Sequence, residues 1–203
     1  MITIIDYGMG NLGSIKNMLN RIGVPSEITN NPENILKARK LILPGVGRFD
    51  TAMGIIEKSG LKNLLIEKVL SDGIPILGIC LGMQLLTQLS EEGNTLGLGF
   101  IPAKTIKFKF EDNHFKIPHM GWNTVHPNAS NPLIDNLPRE PRFYFVHSYY
   151  VKVEDETYSI LKTTYGEVEF DSAIHKSNIW GTQFHPEKSH KYGMKLLENF
   201  SKI

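Results

Sequence analysis

The first half of the chain alternates short β-branched runs with stretches of helical period. Ile2 to Ile5 reads as a buried strand, and Leu12, Ile15, Met18, Leu19 and Ile22 fall on one face of a helix that Gly23 is placed to end. A short strand is predicted at Glu27 to Thr29, and another at Leu41-Ile42-Leu43, stopped by Pro44-Gly45. Helical period returns at Phe49 to Lys58 and at Leu61 to Ser71. Pro75 opens a strand over Ile74 to Ile79, and Leu81 to Leu89 reads as a helix. Strand and helix in this rhythm predict crossover units, with a parallel sheet covered by helices on both faces.

The second half changes character. Ile106, Phe108 and Phe110 alternate with Lys107 and Lys109, the two-residue period of a half-exposed strand. Strand-like runs follow at Phe143 to Val146, Tyr149 to Val153, Tyr158 to Thr163, Val168 to Ile174 and Ile179 to Phe184, expected to be antiparallel and partly to rejoin the same sheet. Pro118 to Pro141, rich in Pro and Asn, is expected to be irregular. An amphipathic helix with Met194, Leu196, Leu197 and Phe200 closes the chain. With no repeat and no long linker, the pattern predicts a single α/β domain over residues 1–203. Its architecture is expected to be three-layer, a mostly parallel central sheet with helices on both faces and an antiparallel extension.

Charge narrows the classes of partner. The chain has 203 residues with 22 Lys and Arg against 21 Asp and Glu, and a formal net charge of +1. Nucleic acid and anionic membrane surfaces are recognised by a clear local excess of Lys and Arg, which is missing, so neither is expected as a partner. The longest apolar run, Ile74 to Met83, is broken by Pro75 and two glycines and is about half of the roughly 20 residues a membrane helix needs. The N-terminus lacks a basic leader region, so a cytoplasmic setting is expected. There is one cysteine, Cys80, which excludes an intramolecular disulfide and a thiolate zinc cage.

That cysteine occupies a special place. Gly78-Ile79-Cys80-Leu81-Gly82 lies where a buried strand turns into a helix, the cysteine form of a nucleophile elbow. Glycines two before and two after are required because a Cβ at either point would collide with neighbouring backbone. A free thiol with pKa near 8.5 is only about 3% thiolate at pH 7, so the helix N-terminus and a neighbouring base must activate it. The competing reading is a small buried hydrophobe, as free cysteines often are.

His185-Pro186-Glu187 supplies a base and its orienter. In an extended segment residues i and i+2 share a side, so the carboxylate of Glu187 is expected beside the imidazole of His185. Cysteine, histidine and glutamate then form a nucleophilic triad. His119, His147 and His175 sit in aromatic or apolar settings and read as structural. The H-x-E spacing also occurs in zinc deaminases, but their P-C-x-x-C half needs two cysteines. His185, Glu187 and His190 lack the i, i+4 histidine spacing of a metalloprotease site, so no metal is expected. Gly8-Met9-Gly10-Asn11-Leu12-Gly13, with Glu27 nineteen residues beyond the first glycine, formally matches a dinucleotide fingerprint. Against it, Glu27 begins its strand, where a ribose-binding acid belongs at a strand's end. Finally, Leu43-Pro44-Gly45-Val46-Gly47 ends a neighbouring strand at the same edge, where the Val46 N–H can join that of Leu81 as an oxyanion donor.

Together these segments resemble class I (triad) glutamine amidotransferases, and among them the glutaminase subunits of imidazole glycerol phosphate synthase, the HisH type. The resemblance includes Ile4 to Asn11, Leu43 to Gly47, Gly78 to Leu86, Ser90 to Gly93, Pro118-His119-Met120-Gly121-Trp122-Asn123, Tyr144-Phe145-Val146-His147-Ser148-Tyr149 and Gln183 to Ser189. It implies Cys80 as nucleophile, His185 as base, Glu187 as orienter, and Val46 and Leu81 as oxyanion donors. By the same resemblance Gly47, Gln84, Glu92, Ser148 and Tyr149 hold L-glutamine, while Asn11, Trp122 and Lys188 face a partner. That partner is a TIM-barrel cyclase of the HisF type in a heterodimer, and no cofactor is implied. Gly13 and Arg48 are closer to paralogues that feed ammonia to a sugar-modifying amidotransferase in surface-polysaccharide synthesis, the alternative partner. A cysteine peptidase would share the elbow but needs neither partner nor glutamine pocket.

Overall fold

The computed structural model of the chain describes residues 1–111 and 114–203. Its first half runs β1 (Ile2–Ile5), α1 (Leu12–Arg21), β2 (Ser26–Thr29), α2 (Pro32–Lys37), β3 (Leu41–Leu43), α3 (Phe49–Lys58), α4 (Leu61–Leu65), β4 (Ile76–Ile79) and α5 (Leu81–Leu85). A wide helical turn, Ile66–Ser71, extends α4. There follow β5 (Leu89–Ser90), β6 (Thr95–Leu96), β7 (Ala103–Lys107), β8 (His119–Thr124), β9 (His126–Pro127), β10 (Arg142–His147), β11 (Tyr149–Val153), β12 (Ser159–Tyr165), β13 (Val168–Lys176), β14 (Ile179–Thr182) and α6 (His190–Lys202).

Every residue of β1, β3 and β4 is buried, as a parallel strand covered on both faces requires. Among the described residues the main sheet has eight strands in the order β2-β1-β3-β4-β14-β13-β12-β9. The five strands from β2 to β14 are parallel, and β13, β12 and β9 extend the sheet antiparallel. Alternate side chains serve opposite faces. Ile5, Leu41, Leu43 and Ile76 pack with Phe49, Met53, Ile56 and Leu65 of α3 and α4. Ile2, Ile4, Ile42, Leu77 and Ile79 pack on the other face with Ile15, Leu19, Leu196, Leu197 and Phe200 of α1 and α6. The three-layer α/β expectation, including its antiparallel extension, therefore holds. No helix among the described residues is long and apolar enough to cross a membrane.

Several local expectations are corrected. The helix read over Leu81 to Leu89 stops at Leu85 because a distant segment takes its carbonyls: the N–H groups of Leu98, Phe100 and Ile101 donate to Leu85 O and Leu86 O at 2.8 to 3.0 Å. Leu89 is thereby freed to pair with Leu96 and Lys104. The stretch from Pro118 to Pro141 is not irregular throughout, since β8 pairs antiparallel with β10. Its run of His, Met, Gly, Trp and Asn lacks apolar alternation because Met120 and Trp122 face outward, 62% and 40% exposed. β7 buries Ala103 and Thr105 and leaves Ile106 half-covered, so the alternation of Ile106 with Phe108 and Phe110 is not the buried phase of the strand. Phe108 lies beyond the strand, within an aromatic group with Phe110, Tyr150 and Phe170. α2 is not evident from periodicity, as it buries only Ile35, yet Asn31 caps it by accepting from the Glu33 N–H at 2.9 Å, with Pro32 in the first turn.

Parallel order brings the carboxyl ends of β1, β3, β4 and β14 to one edge, where open α/β sheets bind their ligands. The elbow is wedged there. Cys80 adopts φ 54° and ψ −110°, in the left-handed half of the map that a non-glycine residue occupies only under constraint. A Cβ on Gly82 would stand 1.8 Å from the Leu43 carbonyl oxygen, and one on Gly78 would stand 2.6 Å from that of Gly82. The Gly82→Ala chain is accordingly expected to lose at least about 3 kcal/mol of stability, because backbone rather than a movable side chain must yield. Urea unfolding measures this, and a loss under about 1 kcal/mol contradicts the packing described.

Candidate active site

Val46, Gly47, Cys80, Leu81, Gln84, Glu92, Ser148, Tyr149 and His185 line one cavity of about 290 Å³, together with Pro118, Val146 and His147. Nine residues singled out from the sequence for catalysis or glutamine binding thus converge, although they come from five separate stretches of chain. The size suits a small amino acid, at the lower end for ligand pockets. A larger cavity of about 460 Å³ lies beside Asp6, Tyr7 and Ile35 and contains none of the triad, so volume alone does not mark the site.

Cys80 is 6% exposed, and its thiol faces the Val146 carbonyl at 3.9 Å and receives the Gln183 amide at 3.9 Å. β14 ends at Thr182, and the chain carries on to His185, whose N–H donates to Tyr144 O at 2.9 Å. Strand geometry does not bring His185 to Glu187, as the sequence suggested. Pro186–Lys188 forms a tight helical turn that folds Glu187 back, and His185 Nδ1 meets Glu187 Oε1 at 2.8 Å. Ser189, missed in the sequence, pins this turn: its hydroxyl donates to His185 O at 2.6 Å and accepts from the Tyr144 N–H at 3.0 Å. A serine directly before a helix was the available signal.

Electrostatics separate the histidines. Burial opposes charge on His185, but a thiolate at Cys80 and the Glu187 carboxylate outweigh it and push its pKa up to about 10. Its buried Nε2 has no nitrogen or oxygen partner among the described residues and faces the Cys80 sulfur, whose charge and hydrogen bonding help to raise its pKa. His147 and His119 are instead pushed down by burial, to about 3 and about 4. Both are neutral at pH 7 and, unlike His185, cannot serve as the basic partner of a thiolate. Tyr7 was not singled out for function, and nothing in its spacing reveals its role. Its hydroxyl donates to Pro44 O at 2.8 Å and tethers the segment that carries Val46. Burial foremost, and then Cys80, raise its pKa and keep it a donor.

Other residues carry double duties. The Gln84 amide donates to Tyr149 O at 3.0 Å and to Gln183 Oε1 at 3.2 Å, so it braces the pocket wall. Glu92 Oε2 accepts from the Phe49 N–H at 2.8 Å, at the start of α3. Gly47 has φ 109°, a conformation that suits glycine. Glu27 lies second in β2 rather than at its end and accepts the Thr3 hydroxyl at 3.0 Å, which removes it from a ribose-binding role. Outside the cavity, Trp122 stacks on His190 with centroids 5.5 Å apart, and the Lys188 ammonium lies 5.5 Å over the Tyr144 ring. These form one exposed patch. Asn11, exposed, precedes α1, which packs against the Pro186–Lys188 turn. No group of three His, Cys, Asp or Glu side chains among the described residues could hold a metal ion.

The family model for glutamine amidotransferase class-I matches residues 3–203. The chain is 62% identical over 202 residues to "Imidazole glycerol phosphate synthase subunit HisH 2" of Methanococcus maripaludis, covering 100% of this chain and 99% of the relative. It is 46% identical over 203 residues to the protein of the same name in Pseudomonas aeruginosa, covering both chains completely. Two solved structures share the fold: PurLQS from Thermotoga maritima, with TM-score 0.74 at 16% identity over 99% of this chain and 97% of that one, and a putative GMP synthase protein from Thermoplasma acidophilum, with TM-score 0.70 at 22% identity over 99% and 92%. The chain belongs to the class-I glutamine amidotransferases.

The elevated His185 pKa gives a test of the triad's electrostatics. A raised basic pKa stabilises the fold fully below the unfolded value of about 6.5, and the contribution is lost as pH rises through about 10. Glu187→Gln removes one source of that shift. The stability gap between native and Glu187→Gln chains, read from urea midpoints, is expected to be widest near and below neutral pH and to narrow toward pH 10. A gap that does not change with pH overturns the assignment.

Proposed function

We propose that this class-I glutamine amidotransferase is the glutaminase subunit of an imidazole glycerol phosphate synthase. It would act in the cytoplasm as a single catalytic domain over residues 1–203, releasing ammonia from L-glutamine for a TIM-barrel cyclase subunit of the HisF type in histidine biosynthesis. The observation that carries the chemistry is the convergence of Cys80 on its elbow with His185, held by Glu187, in one small cavity. Full-length relatives named as that synthase's subunit support the partner and the pathway.

The reaction follows from the arrangement. With the thiol proton held on His185, the Cys80 sulfur attacks the side-chain carboxamide carbon, and the N–H groups of Val46 and Leu81 receive the developing oxyanion. One such donor is worth about 3 to 4 kcal/mol of transition-state stabilisation. The tetrahedral adduct collapses as the C–N bond breaks, and the imidazolium gives its proton to the leaving nitrogen, which departs as ammonia. Water, deprotonated by His185, then adds to the thioester. Breakage of the C–S bond returns the thiol and frees glutamate. Gly47, Gln84, Glu92, Ser148 and Tyr149 hold the glutamine backbone. Asn11, Trp122 and Lys188 belong to the face that meets the cyclase, into which ammonia passes before it becomes ammonium in water.

A second reading, suggested by the likeness of Gly13 and Arg48 to polysaccharide-pathway paralogues, sends the ammonia to a sugar-modifying amidotransferase instead. Arg48 is an exposed residue directly after the Val46-Gly47 segment, paired with Asp50 at 2.7 Å. Cys80→Ala is expected to lower glutamine-dependent synthesis by the complex at least about a thousandfold while ammonia-dependent synthesis persists. Retention of glutamine turnover sinks the reading. Recovery of a sugar amidotransferase rather than a cyclase with this chain transfers it to the second pathway.

A further inference from the structure

Two buried histidines stand beside the pocket with no part in the chemistry above. His119 and His147 are the terminal rung of the β8–β10 ribbon, 3% and 6% exposed. Their proton pattern is dictated by a single carbonyl. His147 Nδ1 lies 2.7 Å from Tyr149 O, an acceptor only, so Nδ1 must carry the hydrogen. The other nitrogen of this neutral ring, Nε2, is then bare and accepts from His119 Nδ1 at 3.0 Å. His119 Nε2 is bare in turn and accepts from the Asn123 amide at 3.3 Å. That amide cannot turn over, because its other hydrogen goes to Thr164 O at 3.0 Å and its oxygen accepts from the Thr124 N–H at 2.8 Å. Ring rotation is also blocked, with His119 stacked between Phe145 and Tyr165 at centroid distances of 4.8 and 4.1 Å.

The two ends of this chain differ in what they touch. At one end Tyr149 O also holds the Gln84 amide in the pocket wall. At the other, Asn123 adjoins Trp122 on β8, and alternation along the strand puts Trp122 outside where His119 and Asn123 turn inward. We propose that His119 and His147 are positioning residues, a one-way hydrogen-bond relay that transmits the placement of β8 to the Tyr149 carbonyl and so to the glutamine pocket. This rests on the reading of the Trp122 face as the partner's. Both rings stay neutral through the physiological range, which keeps the relay intact.

Nitrogen-15 NMR of the ring nitrogens tests the relay in the unmodified chain. Both rings are expected as neutral Nδ1–H tautomers, and an Nε2–H tautomer on either overturns the proposal. Asn123→Asp is nearly isosteric but offers His119 no donor, so Nε2 of His119 must gain a proton; in the neutral ring that proton leaves Nδ1 and the link to His147 breaks, whereas an imidazolium, which the same nitrogen-15 shifts distinguish, keeps the link and should leave KM unchanged. In the complex with the cyclase this variant is expected to raise KM for glutamine by about 5- to 30-fold with a much smaller change in kcat. Ammonia-dependent synthesis is the control and should be unchanged. A KM within twofold of the native value, with the His119 tautomer altered, overturns the positioning role. If the native complex itself turns over no glutamine, the proposed function fails instead, and the NMR result still decides the relay.

Discussion

Everything at the site depends on how closely two backbones approach at the carboxyl edge of the sheet. Gly82 lies against the Leu43 carbonyl so tightly that even a methyl group has no room. That contact fixes the start of α5 against the end of β3, and with it the left-handed backbone of Cys80. One constraint therefore places Cys80 beside the Pro44 to Gly47 segment that ends the neighbouring strand. The energy to hold a residue at such a φ comes from the surrounding core, which buries β1, β3 and β4 on both faces.

Environment then divides identical side chains among different tasks. His185 and His147 line the same cavity, yet one is driven toward the cation and the other away from it. The difference lies in their partners: His185 has a carboxylate on Nδ1 and a thiol beside it, whereas His147 faces a carbonyl and a second neutral imidazole. Pairs of like groups whose environments push them apart identify the acid-base residue more surely than position in the sequence.

Much of this was legible in the sequence because the relevant signals are local. The G-x-C-x-G elbow, the Pro-Gly stop after Leu43 and the parallel rhythm of the first half each depend on a few neighbouring residues, and each appears where expected. What was not legible depends on distant chain. α5 ends early because Leu98, Phe100 and Ile101 supply the hydrogen bonds that further helix would have supplied. β8 escaped notice because its exposed positions are Met120 and Trp122, which invert the usual inward-apolar pattern. Ser189 and Tyr7 act through contacts 45 and 37 residues away, which no spacing rule encodes.

Modification of the native chain by an electrophilic analogue of glutamine, followed by peptide mass spectrometry, tests the assignment of the cavity most directly. One covalent adduct is expected, on Cys80, suppressed by excess L-glutamine and not by other small amides. An adduct elsewhere, none at all, or labelling of Cys80 that glutamine does not compete with would contradict the assignment of this cavity to glutamine and of this cysteine to the attack.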